Sequence, residues 1–195
     1  MNEFPSDAAG QREMLRAERT LRKEPALAPA AEWSIVAHRL DAAGFPAGAA
    51  EAWRAALAAQ PGLPQAHLGL GRMLVELGDA EGAVASLRAA LEADRVAADR
   101  GLEALLDDPD DDPWYPLGLA EHLRGRLEAA VEAYGRSAER FPWFAEPLLE
   151  MARAHIARGD RAAASAAVDG LLARARHRPE LRAEAERLRA ECMKK

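Results

Sequence analysis

Apolar residues recur at helical spacing through most of this chain, and four times the pattern stops at a glycine. Leu70, Met73, Leu74 and Leu77 share one helical face and end at Gly78. A glycine there can adopt the left-handed conformation that closes a helix. Asp79 follows as a candidate N-cap, and Ala83, Val84, Leu87, Ala90 and Leu91 form the apolar stripe of a second helix. The same device recurs at Gly44, Gly125 and Gly159, at intervals of 34, 47 and 34 residues. Five residues after each glycine stands an alanine (Ala49, Ala83, Ala130, Ala164), and four further on a large apolar residue (Trp53, Leu87, Tyr134, Val168). Upstream, Val36, Leu70, Leu117 and Met151 keep the register, each followed by alanine or glycine. The pattern predicts four helix–turn–helix units. Small residues mark where two helices approach closely. Neither helix of a pair can bury its stripe alone, but stacked pairs bury a continuous core.

These residues resemble the tetratricopeptide repeat family, with its 34-residue signature of W-x2-L-G, then A-x3-F and a closing proline. The first unit carries Trp33, Val36, Ala37, Leu40, Ala49, Trp53, Ala56 and Pro61. The second carries Leu70, Gly71, Leu74, Ala83, Leu87 and Ala90, with Arg95 in place of the proline. The third carries Trp114, Leu117, Gly118, Ala130, Tyr134 and Pro142, and departs at Glu121 and Ser137. The fourth is the most degenerate, with Leu171 where a small residue is usual. The resemblance implies an all-α, right-handed superhelical solenoid. The expected organisation is an N-terminal helical segment (1–29), repeats one and two (30–97), an acidic insertion (98–110), repeats three and four (111–178) and a C-terminal cap helix (179–195).

The insertion accounts for the interval of 47. After Leu91 no proline stops the helix, so either it runs on for several turns or a short extra helix carries Leu102, Leu105 and Leu106. Gly101 favours the separate helix, because a mid-helix glycine costs about 1 kcal/mol relative to alanine. The run DDPDDDPW at 107–114 invites a cation-site reading, but it has neither the turn glycine nor the closing glutamate of a calcium loop. It reads better as a helix start: Asp111 or Asp112 as N-cap, with Pro113 at the first helical position, where its missing N–H is harmless.

Composition narrows the chemistry. Hydrophobic residues make up 49% and aromatics 5%, with alanine supplying much of the apolar count, which favours closely packed helices over sheets. Arginine far outnumbers lysine, which suggests a GC-rich, bacterial genome. A net charge of −6 argues against a nucleic-acid binder. The sole cysteine, Cys192, excludes an intrachain disulfide or cysteine-cluster metal site. No stretch has the length of a membrane span, and MNEFPSDAAGQREM lacks the apolar run of a signal peptide; a cytoplasmic location is expected. His67 and His155 fall at packing positions, Gly69-Leu70-Gly71 lies within a helix, and no nucleophile–base pair is evident. The expectation is a non-enzyme without cofactor or metal.

In this family the first helix of each unit lines a concave groove for peptides or helices. The resemblance therefore places His38, Leu68, Arg72, Val75, Tyr115, Leu119, His122, Leu149, Arg153 and Ile156 on a partner-binding surface. The family's two-carboxylate clamp for chaperone tails is not expected, because Ser34, His38 and Gly69 stand at its positions. Phe141, Trp143 and Phe144 flank the turn between units three and four as a secondary aromatic patch, with tucking between helices as the alternative. Charge adds another idea. Residues 98–112 hold seven acids and one base, whereas 172–195 hold eight bases and four acids, so insertion and tail could attract each other within a chain or between copies of it. The expected function is a non-catalytic adaptor or assembly factor holding a protein segment. The alternatives are a client-specific chaperone for a secreted or membrane-inserted protein, and a self-associating or regulatory subunit.

Overall fold

The computed structural model describes residues 30–99 and 111–193. Among them are nine helices in antiparallel pairs: α1 (Ala30–Ala42) with α2 (Pro46–Ala59), α3 (Pro64–Glu76) with α4 (Ala80–Asp99), α5 (Trp114–Leu123) with α6 (Leu127–Arg140), and α7 (Glu146–Ala157) with α8 (Arg161–Arg174). A ninth, α9 (Pro179–Cys192), packs on α8. The expected N-terminal helix and the extra helix around Leu102–Leu106 lie outside the described residues. Helix α4 does run on past Leu91, to Asp99.

The turn glycines behave as their spacing predicts. Gly44, Gly78, Gly125 and Gly159 all have φ between 71° and 77°, a region closed to most residues with a Cβ. In the second unit the Gly78 and Asp79 amides close the helix by donating to Val75 and Leu74 carbonyls at 3.1 and 2.9 Å. The next helix then starts at once. Asp79 Oδ1 accepts from the Gly82 amide and Asp160 Oδ1 from the Ala163 amide, each at 3.0 Å.

Between helices, a missing side chain receives a large one. A Cβ on Gly69 would stand 2.3 Å from the Trp53 ring, one on Gly71 2.5 Å from Leu87, and one on Gly118 2.4 Å from the Tyr134 ring. Trp53, Leu87 and Tyr134 are fully buried in consequence. Gly69 and Gly71 are thus packing glycines. One apolar cluster spans units one to three, and a second runs from Ala138 through unit four into α9 at Ala185 and Leu188.

Where unit three departs from the family pattern, polar bonds replace apolar packing. Leu40 and Leu74 occupy the position held by Glu121, which is nonetheless buried. Its carboxylate accepts from Arg88 at 2.9 Å and Arg124 at 3.1 Å, and Arg124 also reaches Glu81 at 2.7 Å. These pairs tie α4 to α5, the two helices that the insertion separates in sequence. Asp112 is buried at the other end of the insertion. Its two carboxylate oxygens accept from the Trp114 and Tyr115 amides at 3.0 and 3.2 Å, and the Ser137 hydroxyl donates to it from α6. Pro113 has helical angles (φ −80°, ψ −17°), and the first backbone bond of α5 runs from Leu117 to the Pro113 carbonyl at 3.1 Å. Pro116 therefore sits in the first turn, where no intrahelical donor is lost. The last Asp of the acidic run is a helix cap with a third, interhelical bond.

Gly118→Ala should lower stability even though alanine favours helix by about 1 kcal/mol. Tyr134 has no room to retreat, and overpacking of this kind costs about 1–3 kcal/mol. A thermal melt with an unchanged or raised midpoint would contradict the interlock. Asp112→Ala removes the cap and leaves Ser137 without its acceptor, so a loss of about 1–2 kcal/mol is expected in urea unfolding.

Candidate protein-binding groove

The first helices of successive units touch one another in order, α1 to α3 to α5 to α7, and α9 touches α7 as the next member of the row. Their side chains divide into those facing a neighbour and those facing out. His38 is exposed, its ring edge-on to Trp53 with centroids 4.8 Å apart. Arg72 is exposed, and Val75 is half-buried against the first core cluster. On α5, Tyr115, Leu119 and His122 are half-buried.

Two predicted groove residues are placed otherwise. Leu68 is 2% exposed and Leu149 9%, both within the apolar core. Each is a core residue of its cluster rather than an open groove position. Ile156 is partly buried and packs on the second core cluster. Arg153 is held by two carboxylates, Glu150 at 2.6 Å and Glu184 of α9 at 2.8 Å. Burial alone would lower its pKa, but these partners outweigh burial and raise it.

The aromatic patch splits. Phe141 is buried, Phe144 is half-buried, and Trp143 is 69% exposed, resting edge-on against Phe141 at 5.9 Å. Phe144 turns towards the first-helix row instead and meets the Tyr115 ring at 5.1 Å. Tyr115 also lies 6.1 Å from Tyr134. Glu146 and Glu150, which the sequence reading did not place in the groove, flank this group. Their spacing of one helical turn, with Arg153 three residues beyond Glu150, was the signal available. Glu146 accepts from Arg178 at 2.6 Å. Burial acts to raise its pKa, but the bond to Arg178 and backbone donors prevail and lower it.

Burial, reinforced by Glu150 and Glu146 and opposed by Arg153, pushes the Tyr115 phenol up to about 12. Tyr134 is pushed up by the same cause, with Glu150 and Tyr115 adding to it. His155 is buried, and that burial lowers its pKa despite the nearby Asp160.

Across the solenoid, the second helices α4 and α6 with α5 form a cleft of about 220 Å³. Arg88 and Arg136 line it beside Glu121, Glu132 and Trp114. Each arginine is paired with a glutamate of the same cleft, at 2.9 and 2.8 Å, and Arg136 also covers the Trp114 ring at 4.5 Å. Among the described residues, no group of three or more His, Cys, Asp or Glu side chains could hold a metal ion. No helix among them is long and apolar enough to cross a membrane.

Among the described residues this is an all-α solenoid of stacked helix pairs with a row of first helices along one side. Two tetratricopeptide repeat family models match it, over residues 37–98 and 121–191. The chain belongs to the tetratricopeptide repeat family. No curated protein matches it by sequence. Among solved structures, MamA is similar at 18% identity and a TM-score of 0.68, with 89% of this chain and 98% of that one covered. The APC/C hetero-tetramer Cut9–Hcn1 is similar at 16% identity and a TM-score of 0.71, over 95% of this chain and 34% of that one. PilW, described as a widely conserved type IV pilus biogenesis factor, is similar at 17% identity and a TM-score of 0.64, over 94% of this chain and 81% of that one. At such identities the likeness establishes the fold.

The chain has two tyrosines, both in this cluster, so its ultraviolet titration reports on the groove directly. Folding raises the Tyr115 pKa, so its contribution to stability is complete below about pH 10 and falls away as pH climbs towards 12. Little phenolate absorbance should develop by pH 10.5 or so in the folded protein. An ordinary tyrosine titration near pH 10 would show that the cluster is open to water.

Proposed function

We propose that the protein is a non-catalytic adaptor that holds a segment of a partner protein along its row of first helices. Family membership supports a protein–protein interaction role in general. The observation that carries the reading further is the outer face of α5. Tyr115, Leu119 and Leu123 follow one another at intervals of one turn, and Leu123 is 60% exposed. An apolar stripe left open in the middle of such a row suits the apolar face of an amphipathic helix or the alternate side chains of an extended segment. His38, Arg72 and Val75 extend the proposed surface towards α1, and Arg153 and Ile156 bound it at α7. Leu68 and Leu149 contribute by fixing the spacing of the helices that carry it.

An assembly factor or client-specific chaperone would use the same surface, and the identity of the partner separates these forms. Self-association through a basic tail has less support. Arg178, Arg182, Arg187 and Arg189 are all engaged within the chain, by Glu146, Glu186, Glu184 and Asp169 respectively. We retain a cytoplasmic location as part of the proposal, to be checked by fractionation of native-host cells.

Leu119→Arg puts a charge on the stripe from a position that is only half-buried, so the fold should survive it. Affinity purification from the native host should recover the partner with wild-type protein and lose it more than about tenfold with the variant, at equal helicity by circular dichroism. Undiminished capture by Leu119→Arg would move the binding surface elsewhere.

A further inference from the structure

The repeat spacing lets the first helices be compared position by position, and α1 differs from the rest on one side. Glu32 corresponds to Ala66, Pro113 and Pro147, and Arg39 to Met73, Ala120 and Ala154. In units two to four all six of these counterparts are fully buried. The reason is that α3, α5 and α7 each pack on the second helix of the preceding unit. Gly69, on the same side of α3 between Ala66 and Met73, meets the Trp53 ring of α2. On α1 that side is open: Glu32 and Arg39 are exposed, and Ile35, the counterpart of Gly69, is 53% exposed. A single exposed isoleucine is unremarkable on a surface. Here it stands on a face that every later unit covers with a helix.

We propose that this side of α1 receives the chain's own residues 12–24, docked as the second helix of a preceding half-unit. Connectivity brings that segment to the right place. Outside the insertion, the chain enters each later first helix from the second helix packed on that side, through the connections 60–63, 141–145 and 175–178. Helices α2, α6 and α8 are each 14 residues long, and that length with a connection of four before Ala30 reaches back to residue 12. Pro25 stops a helix at the end of this stretch. Within it Met14, Ala17 and Leu21 recur at helical spacing on one side. Ala17 precedes Leu21 by four, the small-then-large step of Ala49 to Trp53 and Ala130 to Tyr134 in the described second helices. The stripe suits Ile35, and a segment of five bases and three acids offers both Glu32 and Arg39 a partner of opposite sign. Docked there, the segment closes the open end of the first apolar cluster, as a terminal cap must in a stacked array. It also leaves the groove side of α1, marked by His38, clear for a partner.

Amide hydrogen exchange of the full chain, read by mass spectrometry, tests the docking. Residues 14–24 should exchange at least about tenfold more slowly than in a free peptide of the same sequence. Ile35→Arg should abolish that protection while α3 to α8 keep theirs, and Leu21→Arg should do the same from the other side of the contact. Exchange at the free-peptide rate in the wild-type protein overturns the proposal, as does protection that survives both substitutions. Protection that Leu119→Arg removes and Ile35→Arg leaves overturns it by putting the segment in the groove. Protection that grows with protein concentration, together with a dimer in sedimentation, overturns it by assigning the open side of α1 to a second copy.

Discussion

The solenoid depends on the contact between a glycine on one helix and a large side chain on an adjacent helix. Gly69 against Trp53, Gly71 against Leu87 and Gly118 against Tyr134 each put a ring or branched side chain where a Cβ would stand. The arrangement brings the helices close and fills the space between them in the same stroke. It also fixes direction. A large residue locked over a glycine sets how one helix crosses another, and hence which face of each first helix is left open. The outer face of α5 owes its position to the contact of Gly118 with Tyr134.

Unit three has to begin again after an interruption, and it does so with polar bonds. Asp112 gathers two amides of α5 and the Ser137 hydroxyl of α6, so one side chain sets the helix start and the pairing of the two helices. Glu121 performs the equivalent task towards unit two through Arg88 and Arg124. Hydrogen bonds specify geometry more narrowly than aliphatic packing, and a buried carboxylate tolerates few arrangements. That is a physical reason for two departures from the repeat pattern to fall in the unit that follows the insertion.

Periodicity made the repeats readable, because glycine in a left-handed turn and small residues at close approach are local requirements. The same locality explains Asp79 and Asp160 as caps. Facing was harder to read. The resemblance places Leu68 and Leu149 in the groove, yet both are buried in the core. A few tens of degrees of helix rotation decide that, and a one-dimensional pattern does not carry it. Arg153 read as an open groove cation because its partner Glu184 lies 31 residues away on α9. The acidic run was legible for the same local reason as the caps: it lacks the glycine and closing glutamate of a calcium loop, and Asp112 caps the helix as its place before Pro113 predicts.

The two ends of the described row differ in kind. At α9 a charged helix takes the place of a further first helix, and its Glu184, with Arg178 just before it, pairs with α7. Those pairs close the row and also order the carboxylates beside Tyr115. A groove floored by apolar side chains alone would accept many amphipathic segments in several registers, since apolar contact has little directionality. Here the carboxylates Glu146 and Glu150 at one end are already paired with arginines, so the row is not apolar throughout. In this molecule the last helix therefore joins the row through ion pairs as well as through the apolar contacts of Ala185 and Leu188.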